Sequence, residues 1–235
     1  MASSVRRALT LFMIVVLLLR SCYALSGDAG FSWRFENRGL DGSTLMECET
    51  LAISISPSNG NSSNVGMGPY YLLAFEPSGT STTTLLGHTP SSLRWQVTHS
   101  IGSQLLLSLV DSQGTSGGVH PMLFTVKANT ADRECLYVDP LSSPLSPLKP
   151  EIVSSVIGQI PPCGAWDLSV FGGRAPYTIS VVSLGSSTVY NFSLPLGQQS
   201  FTYNNRGGIS GRMVGSKPSP DVFLTLQSGA HAESI

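Results

Sequence analysis

Apolar and polar residues alternate in short runs along the first half of the chain. Leu51, Ile53 and Ile55 are interleaved with Ala52, Ser54 and Ser56, and Leu93, Trp95 and Val97 with Arg94, Gln96 and Thr98. A period of two sends successive side chains to opposite faces, so each run predicts a strand with one face on a core. Residues 31–35, 70–76, 82–86, 104–110 and 123–127 complete a set of about seven short strands in about 100 residues. Turn signals PSGTS, HTPSS and DSQGTSGG fall between them. That spacing predicts an immunoglobulin-like Greek-key β-sandwich. No segment carries a helical period, and the expected fold class is all-β.

A second unit repeats the order of features. CETLAISIS, a polar loop and GMGPYYLLAF in the first unit correspond to CGAWDLSVF, GGRA and PYTISVV in the second. Cys48 to Pro69 spans 21 positions and Cys163 to Pro176 spans 13. The extra loop SPSNGNSSN accounts for the difference, since loops absorb insertions more easily than strands. Between the units, DPLSSPLSPLKP (139–150) holds four prolines. Proline fixes φ and lacks an amide donor, so a stiff extended linker is expected there. The reading is therefore of two tandem sandwiches, 25–138 and 151–235. The stretch SKPSPDVFLTLQSGAHAESI is less regular than its counterpart, and the second sandwich is expected to be incomplete.

The first 24 residues stand apart from this pattern. Arg6 and Arg7, the apolar run 8–19 and the small Ala24 read as a cleaved secretory signal, with an uncleaved anchor helix as the alternative. The apolar run is too short to span a bilayer, which needs about 20 residues. The chain as a whole has 13 basic and 14 acidic residues, and loss of Arg6, Arg7 and Arg20 leaves about −4. With charged residues at only 11% and Lys at just Lys127, Lys149 and Lys217, the composition excludes a coiled coil and a polybasic nucleic-acid binder. Behind a signal peptide, the sequons at Asn61 and Asn191 become glycosylation candidates.

Cysteine usage fits an oxidising compartment. With Cys22 removed, Cys48, Cys135 and Cys163 remain. A Cys48–Cys135 bridge would staple the two ends of the first unit; the alternative is three free thiols. Cys163 sits where Cys48 does in the first unit, and its expected mate falls past residue 240. It is expected to be unpaired or to bridge another molecule, in a truncated or alternatively spliced second sandwich.

Taken in order, Cys48 to Phe75, Leu93 to Gly114, Cys135, Cys163 to Tyr177 and FTYNNRGG from Phe201 resemble a group of predicted secreted or single-pass membrane proteins of mushroom-forming (basidiomycete) fungi. The resemblance covers most of residues 31–208. It implies tandem β-sandwich repeats and carries no catalytic assignment. Longer members of the group generally complete the second sandwich and continue into a Ser/Thr-rich stalk and a transmembrane helix.

Candidate chemistry is sparse. A hydrolase elbow G-x-S-x-G is absent. His88, His99 and His120 read as surface polar residues, and the Glu47-Cys48-Glu49 triplet as a solvated strand start. Nothing selects Glu47 and Glu49 as a glycosidase pair. Cupredoxin, zinc-ribbon and EF-hand spacings are missing, so no metal or cofactor is expected. Trp95 and Trp166 alternate in phase with core positions, which leaves Trp33 as the candidate carbohydrate contact. The function expected is that of a non-enzymatic secreted glycoprotein with a structural or adhesion role at the fungal cell surface or wall. Its partner would be a cell-wall polysaccharide or a cell-surface protein, with no nucleic acid and no membrane span. A carbohydrate-binding module and the truncated ectodomain of a single-pass membrane protein are the alternatives.

Overall fold

The computed structural model describes residues 29–36, 42–58, 65–76, 81–129, 135–136, 150–156, 160, 164–204 and, for the backbone alone, 222–228. The signal segment, Asn61, residues 139–149 and Cys163 lie outside the described residues.

Nine strands build the first sandwich: β1 (Phe31–Phe35), β2 (Thr44–Met46), β3 (Thr50–Pro57), β4 (Tyr70–Phe75), β5 (Thr82–Gly87), β6 (Leu93–Gln96), β7 (Gln104–Asp111), β8 (Ser116–Val119) and β9 (Phe124–Lys127). One sheet runs β1-β3-β6 and the other β2-β9-β7-β4-β5, with β8 also on β7. Only β2 against β9 is parallel; the remaining pairs are antiparallel. The chain passes from one sheet to the other on both sides of β2, between β3 and β4, and again on both sides of β6. This is an immunoglobulin-like Greek key.

The core follows from the alternation. Leu51 and Ile53 of β3 and Leu93 and Trp95 of β6 point inward, onto Leu72 of β4 and Leu105, Leu107 and Leu109 of β7. Arg94 and Gln96 point to water. Sequence patterning misses β2, which is only three residues long, and β8, whose SGGV shows no alternation. The DSQGTSGG run is a turn only as far as Thr115; its last residues enter β8.

Six further strands follow: β10 (Glu151–Ser154), β11 (Ala165–Phe171), β12 (Tyr177–Ser183), β13 (Tyr190–Leu194), β14 (Ser200–Asn204) and β15 (Val222–Ser228). They form the sheets β10-β11-β14 and β13-β12-β15. This order reproduces β1-β3-β6 and β5-β4-β7 of the first sandwich. Trp166, Leu168 and Val170 of β11 meet Tyr177, Ile179 and Val181 of β12 in a second core. No counterpart of β2, β8 or β9 occurs among the described residues. The stretch judged less regular holds β15, which pairs with β12 over its whole length.

The repeat extends to side-chain detail. In each unit a cis X-Pro bond precedes the tyrosine that opens the inner strand. The Tyr70 hydroxyl donates back to the Gly66 carbonyl at 3.2 Å, and the Tyr177 hydroxyl to that of Gly172 at 2.8 Å. Each phenol thus ties its strand to the Gly-rich loop before it.

The two sandwiches touch directly. Leu73 and Phe75 of β4, Leu106 of β7 and Val119 of β8 share an apolar cluster with Val182 of β12, Leu184 and Val189. The amide of Val119 donates to the Ser186 carbonyl at 2.8 Å, and that of Gly185 to the His120 carbonyl at 3.4 Å. Gly118 lies at this contact with φ +83, a left-handed conformation that favours glycine. This contact explains why β7 reads QLLLSLVD instead of alternating. Its odd positions fill the first core, and Leu106 faces the other sandwich.

Candidate functional site

The polar and aromatic residues with chemistry to offer fall in four places, three of which the sequence singles out. The first is the aromatic end of the first sandwich. Trp33, on β1, is half-buried, and its indole N–H donates to the Gly118 carbonyl at 3.0 Å. Its ring lies edge-on to Phe35 at 5.6 Å and 5.4 Å from the His120 ring. Trp33 is thus packed and hydrogen-bonded to β8, and does not form a flat surface laid open to solvent. Trp95 and Trp166 are buried in the two cores, as their phase predicts.

His120 belongs to the same cluster, 4.7 Å from Phe124 and 6.4 Å from Phe35. Its Nδ1 accepts the Met122 amide at 3.1 Å, and burial holds the imidazole below its ordinary pKa. His99 is 5% exposed, with Nε2 at 3.5 Å from the Thr82 hydroxyl. Burial lowers its pKa to about 4. Both histidines correct the surface reading, because isolated polar letters between strands do not reveal which loops fold inward. His88 is exposed.

The disulfide corner is the second place. Cys48 and Cys135 are bonded, with their Cα atoms 5.6 Å apart. Cys48 adopts φ +63 in the turn between β2 and β3, and its amide donates to the Val97 carbonyl at 3.0 Å. Glu47 is only 2% exposed, which corrects the solvated strand start. The turn that carries it is drawn in by the disulfide and by the bond from its amide to the Lys127 carbonyl. Glu49 instead reaches back to accept the Met46 amide at 3.1 Å. The two carboxylates serve different local structures and do not line one cleft.

Asp111 is the third, a feature the sequence did not single out as a site. Buried at the end of β7, its carboxylate accepts the amides of Met67 at 2.8 Å, Gln113 at 2.9 Å and Thr115 at 2.7 Å. These bonds fix the turn into β8 and tie it to the loop before β4. The only available signal was the D-x-x-G turn itself. Among the described residues, no group of three or more His, Cys, Asp or Glu is placed to hold a metal ion.

The fourth is Asn191, exposed on β13. It lies beside Ser180 of β12, whose hydroxyl donates to its side-chain oxygen at 2.6 Å. Ser193, two residues on, is exposed on the same face, while Phe192 turns inward against Phe201.

Together these features define an all-β protein of two tandem immunoglobulin-like sandwiches, the first closed by a disulfide. No protein-family model matches the chain, and no curated protein matches it significantly. Among solved structures it is similar to a two-domain fibronectin type III segment of chicken tenascin. The identity is 13% over 78% of this chain and 94% of that chain, with a TM-score of 0.24. So distant a likeness adds nothing to the strand order. No helix among the described residues is long and apolar enough to cross a membrane.

Proposed function

We propose that the chain is a secreted, glycosylated, non-enzymatic protein with a structural or adhesion role at the fungal cell surface or wall. The observation that carries this reading is the Cys48–Cys135 bridge across a sandwich docked on a second sandwich. Disulfides form and persist in oxidising compartments, and such a unit suits a rigid extracellular spacer. The polar groups nearest to catalytic chemistry also have structural employment: Asp111 in a turn, Glu49 on a strand end, His99 in a packed interior and His120 half-buried against aromatic rings. Asn191 supports the glycoprotein part, because an exposed sequon on an outer strand is accessible to a transferase.

Expression of the full chain through a eukaryotic secretory pathway tests the reading. The protein should reach the medium, and peptide:N-glycosidase should increase its gel mobility. Asn191→Gln should abolish the part of that shift due to this site. Cell fractionation in the native fungus should place it in the wall or surface fraction. Retention in the cytosol with reduced cysteines would sink the proposal. Chitin and glucan pull-down separates a polysaccharide partner from a protein one.

A further inference from the structure

We propose that His120 makes the junction between the two sandwiches acid-sensitive, because protonation of its imidazole undoes the strap 118–122 that carries the junction's backbone hydrogen bonds. This inference goes beyond the adhesion reading and does not depend on it.

One short segment faces both sandwiches. The Val119 amide bonds the Ser186 carbonyl, and the His120 carbonyl accepts the Gly185 amide. Pro121 lies beside Gly185, with its Cβ 3.7 Å from where a side chain on that glycine would begin. On the other side, the His120 amide donates to the Leu107 carbonyl at 2.8 Å. The imidazole turns into the first sandwich, against Trp33, Phe35 and Phe124. Because Nδ1 accepts the Met122 amide, the neutral ring carries its proton on Nε2.

A proton on Nδ1 replaces that acceptor with a donor. Two N–H groups then face each other, so the ring and the Met122 backbone cannot both keep their places. The surroundings provide no counter-ion. Trp33 and Phe35 of β1 and Phe124 of β9 are uncharged, and Arg34, Glu36 and Lys127 on or beside those strands are exposed. On β7, the Asp111 carboxylate is already engaged by three backbone amides. The turn 184–189 of the second sandwich contains no titratable residue. Cation–π attraction from the three rings favours the charged ring, but it supplies no acceptor for the new N–H. Partial burial lowers the pKa of the imidazole, while its backbone hydrogen bond with Met122 acts in the opposite direction.

Amide hydrogen exchange and imidazole titration, both followed by NMR on the full chain between pH 7.5 and 5, test the proposal. After correction for intrinsic exchange, protection at Val119 and Gly185 should fall at least tenfold, in step with His120 protonation. The core amides of Leu72 and Val181 should stay protected. The range ends above the value of about 4 expected for His99, so that residue does not intrude. Constant protection at Val119 and Gly185 through the titration would overturn the proposal, as would simultaneous loss at Leu72 and Val181. An imidazole that stays neutral throughout this range would overturn it as well. His120→Phe keeps an aromatic ring and cannot titrate, so its junction protection should not depend on pH. A wild-type response in that variant also counts against the idea, and if the variant does not fold, the wild-type titration decides alone.

Discussion

At the scale of single residues, burial decides what each polar letter does. His99 and His88 stand eleven positions apart in similar loop sequence, yet one is buried and the other exposed. Local composition cannot separate them, because burial depends on residues brought in from elsewhere in the chain, such as Thr82 at the start of β5, whose hydroxyl reaches the His99 ring. The consequence is measurable. The folded pKa of about 4 lies below the unfolded value of about 6.5, so the unfolded chain binds the proton more readily. The stability due to neutral His99 is complete above about pH 6.5 and is lost as pH falls towards 4, by a total on the order of 3 kcal/mol. Urea unfolding of the wild type between pH 7 and pH 4 should show this slope, and His99→Leu should flatten it. An unchanged slope in the variant would assign the acid sensitivity elsewhere. Asp111 makes the complementary case. Removing its carboxylate in Asp111→Ala leaves the Met67, Gln113 and Thr115 amides without their acceptor. A loss of about 1–3 kcal/mol in thermal or chemical unfolding is expected.

At the scale of elements, the period-two pattern reads β3 and β6 correctly because each has one face on a core and the other towards water. β7 and β12 break the pattern because both of their faces are covered. Runs such as LLLSL and ISVVS are what a doubly buried strand looks like, and the sequence cannot say what covers the second face. Leu106 and Leu107 are adjacent and both fully buried, but they belong to different clusters. Leu107→Ala should therefore cost about 2–5 kcal/mol in unfolding of the first sandwich. Leu106→Ala should mainly loosen the junction, read as increased radius of gyration and faster exchange at the Gly185 amide. Equal effects of the two changes on the first sandwich alone would contradict the assignment of Leu106 to the junction.

At the scale of the molecule, a disulfide and an apolar contact act on different parts. The Cys48–Cys135 bridge spans 87 positions within the first unit. On the chain-entropy model, closing such a loop stabilises by about 4–5 kcal/mol. Cys48→Ser with Cys135→Ser should lower the unfolding midpoint of the first sandwich and leave that of the second, followed through Trp166, nearly unchanged. A matching loss in the second would mean that the two sandwiches unfold as one cooperative unit through their junction. The proline-rich run 139–150 is expected to be a stiff extended linker, and it lies almost wholly outside the described residues. The apolar cluster of Phe75, Leu106, Val119 and Val182 brings the two halves into contact.

The sequence by itself determined most strands of the first sandwich, the all-β class and the repeat, and it offered the pairing of Cys48 with Cys135 that the structure contains. Each of these depends on local alternation, turn chemistry or residue order along the chain. Only the tertiary structure decided that Trp33 is pinned to β8, that His99 and Glu47 are buried and His120 half-buried, and that β7 and β12 join the two sandwiches. Those outcomes depend on which distant surfaces meet, and a side chain loses its water only when a partner from elsewhere in the chain arrives to cover it.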